Sequence, residues 1–507
     1  MLEKPEIALD QLKEVPHHQR RQIVSGMRWT VWLSAVSIPF SYGTTVLLAR
    51  TSPEAIGTYG LLSVYIGAVL GLFYLGGDAV AIKFIPELDP EHRLSFLVSY
   101  FTIVCLAVLP WLAAAAIWPQ LLHYVFGEQT SESLGMLLLI LSPVCILASL
   151  TGAALKGMLE ISWAQIMARL VTIGSFLVYA TLFVLSRELL ARSYAKVIWG
   201  TYLIVCVFAA TLGLQRLLRL NGGSRVLRSL KFFLPAGFWH YTLSLQQLSA
   251  VSFFTQRLDA ILILNFGNLT LLGEYVAILV LADSIRIISR LFLDTLLPSL
   301  TNMVAARNLA AASGVFSAHM RILFLANAAS TYGLILLARP VTAILGAKYA
   351  GLGSLVILLA LFVGLSTPGS VGGIVLSSIG KQQRAVGVAV GQVAIYATLF
   401  AFLWPRWQME GAVIAYGIAW VLSNFVLLVI GRLSSPFPFS VTREYVVFGL
   451  TAIAAALIAK LAPLGLGAGS IAWIAALGLF LWMAGYSIKE CTALIQWFSP
   501  LSSIRSQ

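Results

Sequence analysis

Fourteen apolar stretches, each about 18–25 residues long, run from Trp29 to Ile488 and alternate with short polar joints. A helix of about 20 residues crosses a hydrocarbon core ~30 Å thick, and inside lipid it satisfies its own backbone hydrogen bonds. The pattern therefore predicts an all-α polytopic membrane protein with spans near 29–49, 56–76, 96–118, 134–154, 164–186, 197–215, 235–262, 273–296, 322–338, 352–379, 385–404, 411–431, 445–463 and 470–487. No joint is long enough to hold a soluble catalytic domain. An even number of spans puts both termini on one side.

Three spans carry polar residues at helical spacing. Span 1 has Thr30, Ser34, Ser37, Ser41 and Thr44 on one face. Span 7 has Thr242, Gln246, Ser249, Ser252, Gln256 and Asp259, again on one face, with His240 and Gln247 nearby. In span 8, Asp283, Arg286, Arg290 and Asp294 share a face. Hydroxyl stripes are common at helix–helix contacts. A central Arg or Asp costs ~2.5–3.5 kcal/mol on insertion scales, so the span 8 charges must face protein or water. The same spacing also allows Asp283–Arg286 and Arg290–Asp294 to neutralise each other. Pro39 removes a backbone donor in span 1 and can kink it.

Composition agrees with the pattern. Of 507 residues, 59% are hydrophobic and 10% charged, against about 25% charged in soluble domains. The net charge of +13 comes without a basic block interleaved with aromatics, so it does not indicate nucleic acid. Its distribution sets topology instead: 21 basic residues fall on the N-terminal side of the membrane and 8 on the other, which predicts cytoplasmic termini. The remaining four, Arg169, Arg257, Arg286 and Arg290, lie within spans. Residues 1–28 lack the apolar core of a signal peptide and form the expected cytoplasmic tail.

The most basic joint, 216–234, separates an expected N-lobe (29–215, spans 1–6) from a C-lobe (235–431, spans 7–12). Spans 13 and 14 (432–488) and a cytoplasmic tail (489–507) follow. Gly57-Thr58-Tyr59 and Pro86-Glu87-Leu88 in the first lobe correspond to Gly273-Glu274-Tyr275 and Pro298-Ser299-Leu300 in the second. That correspondence suggests the internal repeat of many transporters. The four cysteines indicate no disulfide framework, no Walker-type loop appears, and no metal-ligand spacing is present. Gly67–Gly71 and Gly387–Gly391 match a close-packing spacing common in glycine-rich helices. Asn268-Leu269-Thr270 matches a glycosylation sequon in a short outward joint. The longest such joint, 119–133, offers only His123, Glu128 and Glu132 to a membrane enzyme acting on lipid-linked sugars.

Several short segments resemble polysaccharide transporters of the O-antigen flippase type. They are Leu48 through Gly60, Lys83-Phe84-Ile85-Pro86-Glu87-Leu88, Asp259 through Tyr275 with Pro298-Ser299-Leu300, Gly346-Ala347-Lys348-Tyr349, Gly380-Lys381 and Glu410-Gly411-Ala412. In order and spacing they cover about residues 25–430. That family belongs to the multidrug/oligosaccharidyl-lipid/polysaccharide exporter superfamily. The resemblance implies two pseudo-symmetric six-helix lobes around a central cavity lined by spans 1, 2, 7 and 8. It further implies a flippase, not an enzyme, that moves an undecaprenyl-type lipid-diphosphate-linked oligosaccharide from the inner to the outer leaflet of a bacterial cytoplasmic membrane. Polymerase and ligase machinery of surface-polysaccharide assembly are the partners it suggests.

The candidate binding residues follow. The diphosphate is drawn in by Lys83 and Arg290 and rests near Arg286 and Asp283; sugars sit against Gln246, Ser249, Ser34 and Ser37. Arg257 and Asp259 add charge from span 7. Arginine suits phosphate because its planar fork presents paired donors. No cofactor is indicated; Asp259 or Asp283 could carry a coupling H+ or Na+, or the membrane potential could act on bound charge. Drug exporters of the superfamily often have an acidic residue in span 1, and none lies between Trp29 and Ala49, which disfavours the alternative of a cation-coupled small-molecule exporter. The charge count makes a direct prediction: a fluorescent protein fused after Gln507 is fluorescent, and alkaline phosphatase fused there is inactive. The opposite pair of readings would invert the topology.

Overall fold

In the computed structural model the described residues are 33, 36–117, 132–186, 188, 193–220, 231–305, 307–462 and 464–486. Ser34, most of the 119–133 joint, Arg225 and Arg228 of the basic joint, and both terminal tails fall outside them. The chain is an all-α polytopic membrane protein. Every predicted span contains helix among its described residues; span 2 breaks at 74–77, and helix in span 7 starts only at Phe238. Among those residues, ten helices are long and apolar enough to cross a membrane.

The helices are α1 (36–51), α2 (Pro53–Ala68), α3 (Asp78–Glu87), α4 (Pro90–Ile117), α5 (Glu132–Gly157), α6 (Ile161–Leu185), α7 (Tyr194–Leu220) and α8 (Phe238–Phe266). Then come α9 (Leu269–Ala305), α10 (Leu309–Leu336), α11 (Ala338–Leu345), α12 (Gly353–Ser366), α13 (Val371–Ser378), α14 (Gln382–Ser434), α15 (Thr442–Leu461) and α16 (Leu466–Ala484). Predicted spans 11 and 12 are the two helical arms of α14, separated at Gln408, whose φ of 42° breaks the helix three residues after Pro405. Several helix starts carry side-chain caps. The Ser52 hydroxyl accepts from the Ala55 N–H at 3.1 Å with Pro53 at the first helical position. The Asn268 carbonyl oxygen likewise accepts from the Leu271 N–H at 2.8 Å, so this sequon asparagine works as a helix cap.

Two compact units emerge, Met1–Ala277 and Ile278–Gln507. In the first, α5 packs on α3, α4, α6 and α7. Tyr65 anchors this core: its hydroxyl lies 3.0 Å from the Leu138 carbonyl, and its ring packs 5.7 Å from that of Trp199. In the second, α10 packs against α12, α15 and α16, and α14 embraces α12 and α13. The close approach of α13 to α14 uses Gly372 and Gly431, which touch backbone to backbone. Trp473 on α16 donates to the Ala329 carbonyl at 2.9 Å, tying the last helix to α10.

The boundary differs from the lobe division expected at 216–234, because α8 and the first turns of α9 group with the first unit. The cause is a glycine face on α2. Gly57 lies against the Leu269 backbone, Gly60 against Val276, Gly67 against Arg257, and Gly71 against Phe253. Gly273 in turn lies against the Pro53 and Gly57 backbones, so the two Gly-x-Tyr motifs meet at one crossing where neither helix has a side chain. A methyl group has no room there. Gly273→Val should therefore destabilise the protein by about 3 kcal/mol or more, at the upper end of overpacking costs. Thermal unfolding in detergent checks this, and a wild-type midpoint would contradict the crossing.

Candidate functional site

A cavity of about 510 Å³ opens inside the first unit, bounded by α2, α3, α5, α6 and α7. That is ample for a small polar ligand. Small side chains at helical spacing create it. On α5 the lining runs Cys145, Ala148, Ser149, Gly152 and Lys156, about 16 Å of helix at 1.5 Å per residue. On α6 it runs Ala164, Ala168, Thr172 and Ser175, and α7 adds Tyr202 and Cys206. Tyr59 and Ser63 of α2 contribute further hydroxyls. The wall is thus mostly methyl and methylene groups with hydrogen-bonding oxygens placed among them.

Charge enters at two places. Lys156 and Asp78 pair at 3.5 Å at one end, with both side chains more than a third exposed. A pair this open contributes about 0–1 kcal/mol and is easily exchanged for another ion. Arg257 reaches the cavity from α8, its Nε lying beside the bare face of Gly67. Gly67 and Gly71 on α2 thus receive Arg257 and Phe253, an i, i+4 pair from each helix. Among the described residues no carboxylate pairs with Arg257. Asp259, two positions on, faces elsewhere: its Oδ2 accepts from the Tyr275 hydroxyl at 2.6 Å and its Oδ1 from the Ala260 N–H at 2.8 Å. It is 3% exposed. No group of three metal-ligating side chains occurs among the described residues.

Of the ten residues singled out from sequence, Arg257 is the one lining this cavity. Gln246 lies on α8 with its amide held by the backbone of the chain following α2: Nε2 donates to the carbonyls of Gly71 (3.0 Å) and Leu72 (2.6 Å), and Oε1 accepts from the Gly76 N–H (3.0 Å). Ser249 is half-buried, its carbonyl facing Gly71. Ser37 is buried in α1. Lys83, midway along α3, sits over the Tyr241 ring at 4.0 Å.

In the second unit Arg286 bonds Asp283 at 2.9 Å and lies over the rings of Trp420 (4.1 Å) and Tyr416 (5.5 Å). This is the self-neutralising arrangement that the i, i+3 spacing allowed. Arg290 and Asp294 are on α9; their side chains are outside the described residues. The residues missed from sequence are Asp78, Lys156 and the hydroxyls of spans 2, 4 and 5. Their signal was present: Ser149, Gly152 and Lys156 recur at intervals of three and four.

Comparison with solved structures places this arrangement in a known fold. A lipid II flippase, MurJ, in an inward closed conformation superposes with a TM-score of 0.66 at 13% identity, over 92% of this chain and 98% of that one. An inward-facing multidrug resistance MATE family transporter of the MOP superfamily gives 0.64 at 13% identity, over 80% and 97%. A MATE protein in a bent conformation gives 0.55 at 15% identity, over 86% and 97%. No protein-family model matches the sequence, and no curated protein matches it significantly. The chain shares its fold with these proteins. The Asp283–Arg286 pair should show a coupling of about 1 kcal/mol in a double-mutant cycle of Asp283→Ala and Arg286→Ala, read by thermal unfolding. Strict additivity would mean the pair does not hold in the membrane.

Proposed function

We propose that this protein is a flippase that carries a lipid-diphosphate-linked oligosaccharide across the cytoplasmic membrane of a bacterium, from the inner to the outer leaflet, for cell-surface polysaccharide assembly. The observation that carries this reading is Arg257: a guanidinium without a carboxylate partner among the described residues, facing a cavity lined otherwise by hydroxyls, two thiols and the Asp78–Lys156 pair. A guanidinium presents paired donors that match two phosphate oxygens. Hydroxyls of Ser63, Ser149, Thr172 and Tyr59 exchange hydrogen bonds with sugar hydroxyls, and the methyl-rich wall between them receives the apolar faces of the rings. The fold shared with a lipid II flippase supports the same substrate class.

The binding sequence follows from where the charges lie. Lys83 of α3, held over Tyr241, attracts the anionic headgroup from the leaflet next to the termini. Lys156 exchanges Asp78 for a phosphate oxygen, and Arg257 takes the diphosphate deeper in the cavity. The polyprenyl tail stays in the bilayer throughout, since no cavity wall here compensates the cost of removing it from lipid. Alternating exposure of the cavity to the two sides then completes the transfer. Arg286, already neutralised by Asp283 and stacked on Trp420, stays with its partners in this scheme. A cationic, hydroxyl-lined cavity also disfavours the cationic drugs that a multidrug exporter would carry.

The test is the sidedness of the lipid-linked precursor in cells, read with a glycan probe confined to the outer leaflet. Depletion of the protein should abolish outer-leaflet precursor while inner-leaflet precursor accumulates. Arg257→Ala should reproduce the defect, with transport down about tenfold or more, as losing a charge-assisted phosphate contact implies, at normal protein levels. Arg257→Lys should recover part of it. Unchanged sidedness on depletion would reject the flippase reading. A transporting Arg257→Ala would reject the site.

A further inference from the structure

The second predicted span is not one helix. Its regular part, α2, ends at Ala68; Val69–Phe73 form a π-helical turn, and α3 starts at Asp78. Between them Leu75, Gly76 and Gly77 have φ of 46°, 83° and 62°. Three consecutive residues in that region leave carbonyls and N–H groups without helical partners. Two side chains from other helices satisfy them. The Gln246 amide takes Gly71, Leu72 and Gly76 as described above. The Tyr100 hydroxyl of α4 lies 2.9, 3.0 and 3.1 Å from the carbonyls of Tyr74, Leu75 and Gly77. Its ring also stacks on that of Tyr74, at 6.1 Å and 15°.

We infer that residues 69–77 are a hinge, and that Gln246 is the latch by which α8 sets the position of α3 and so of the Asp78–Lys156 end of the cavity. Three observations converge. Asp78 is the first residue beyond the hinge, so rotation there moves one partner of the ion pair directly. Gly76 faces α8 with no side chain: a Cβ would lie 3.1 Å from that of Leu245 and 3.2 Å from the Thr242 carbonyl, so the hinge and α8 approach as closely as backbone allows. The latch is an amide rather than a carboxylate or hydroxyl because the recess presents two acceptors and one donor at once, and only a primary amide complements all three. Tyr100 contributes differently. Its one hydrogen is shared among three carbonyls, so it accommodates several hinge geometries, whereas the Gln246 contacts fix one. The bearing of this latch on transport rests on the function proposed above; its mechanics do not.

Hydrogen exchange of the purified full-length protein tests the mechanics without any substrate. In Gln246→Leu, similar in bulk but without the amide, exchange across 69–88 should accelerate about tenfold or more, while α5 and α7 keep wild-type rates. If that variant does not fold, Gln246→Asn, one methylene shorter, should give the same confined change at smaller amplitude. A second readout follows the cavity itself. Gly152→Cys, at a site where an added Cβ meets open space, is introduced after the native cysteines are replaced. A hydrophilic thiol reagent should then modify it about fivefold faster when Gln246→Leu is also present. Acceleration spread equally over α5 and α7 would make Gln246 a general staple and overturn the hinge. Unchanged exchange in 69–88, or unchanged thiol reactivity, would overturn the latch.

Discussion

A backbone group removed from water without a partner costs several kcal/mol, and the break at 69–77 takes such groups out of regular helix pairing. The Gly71 and Leu72 carbonyls and the Gly76 N–H turn to Gln246 and the Leu75 carbonyl to Tyr100, while the Tyr74 and Gly77 carbonyls keep turn bonds from the Gly77 and Val80 N–H groups. The break is tolerable only while α8 and α4 supply Gln246 and Tyr100. That requirement brings α8 onto the chain at Gly67 and Gly71, while Gly57 and Gly60 receive Leu269 and Val276 of α9. The same packing carries Arg257 past Gly67 into the cavity. A local fault in one helix thus bears on where Arg257, the cation of the proposed site, stands.

The charged side chains divide by what surrounds them. Arg286 has a carboxylate one turn away and two aromatic faces over its guanidinium, and Arg216 similarly holds Glu160 at 3.0 Å beside Trp163. Asp259 is capped by a tyrosine and a backbone N–H. Each of these groups is provided for by the protein itself. Arg257 instead faces hydroxyls and methyl groups, an environment that the proposed anionic sugar conjugate would complete. The Asp78–Lys156 pair stands between these cases, formed but open enough to be exchanged.

The helices were legible because hydropathy and span length leave no alternative in lipid, and the Asp283–Arg286 pairing was legible because i, i+3 spacing puts both side chains on one face. Gln246 illustrates what periodicity leaves open. A polar stripe shows that a helix face needs partners, and whether those are ligand or backbone depends on a break elsewhere in the chain. Gly67 and Gly71 were indistinguishable from other glycines in apolar helices until Arg257 and Phe253 were found seated on them. The cavity was missed because Ala148, Gly152, Ala164 and Ala168 line it by being small, and small residues at helical spacing equally mark tight packing. The tilt of α5 and α6 decides between the two, and tilt is not written in local sequence.

The central claim concerns the headgroup chemistry of what is moved. Purified protein reconstituted into vesicles, with a fluorescent short-chain polyprenyl diphosphate bearing a disaccharide placed in one leaflet, gives the most direct measurement. Protein-dependent appearance of that lipid in the other leaflet, with little movement of the same disaccharide on an uncharged glycerolipid, is the predicted result. Equal movement of both lipids, or movement of neither, would contradict recognition of a diphosphate-linked sugar.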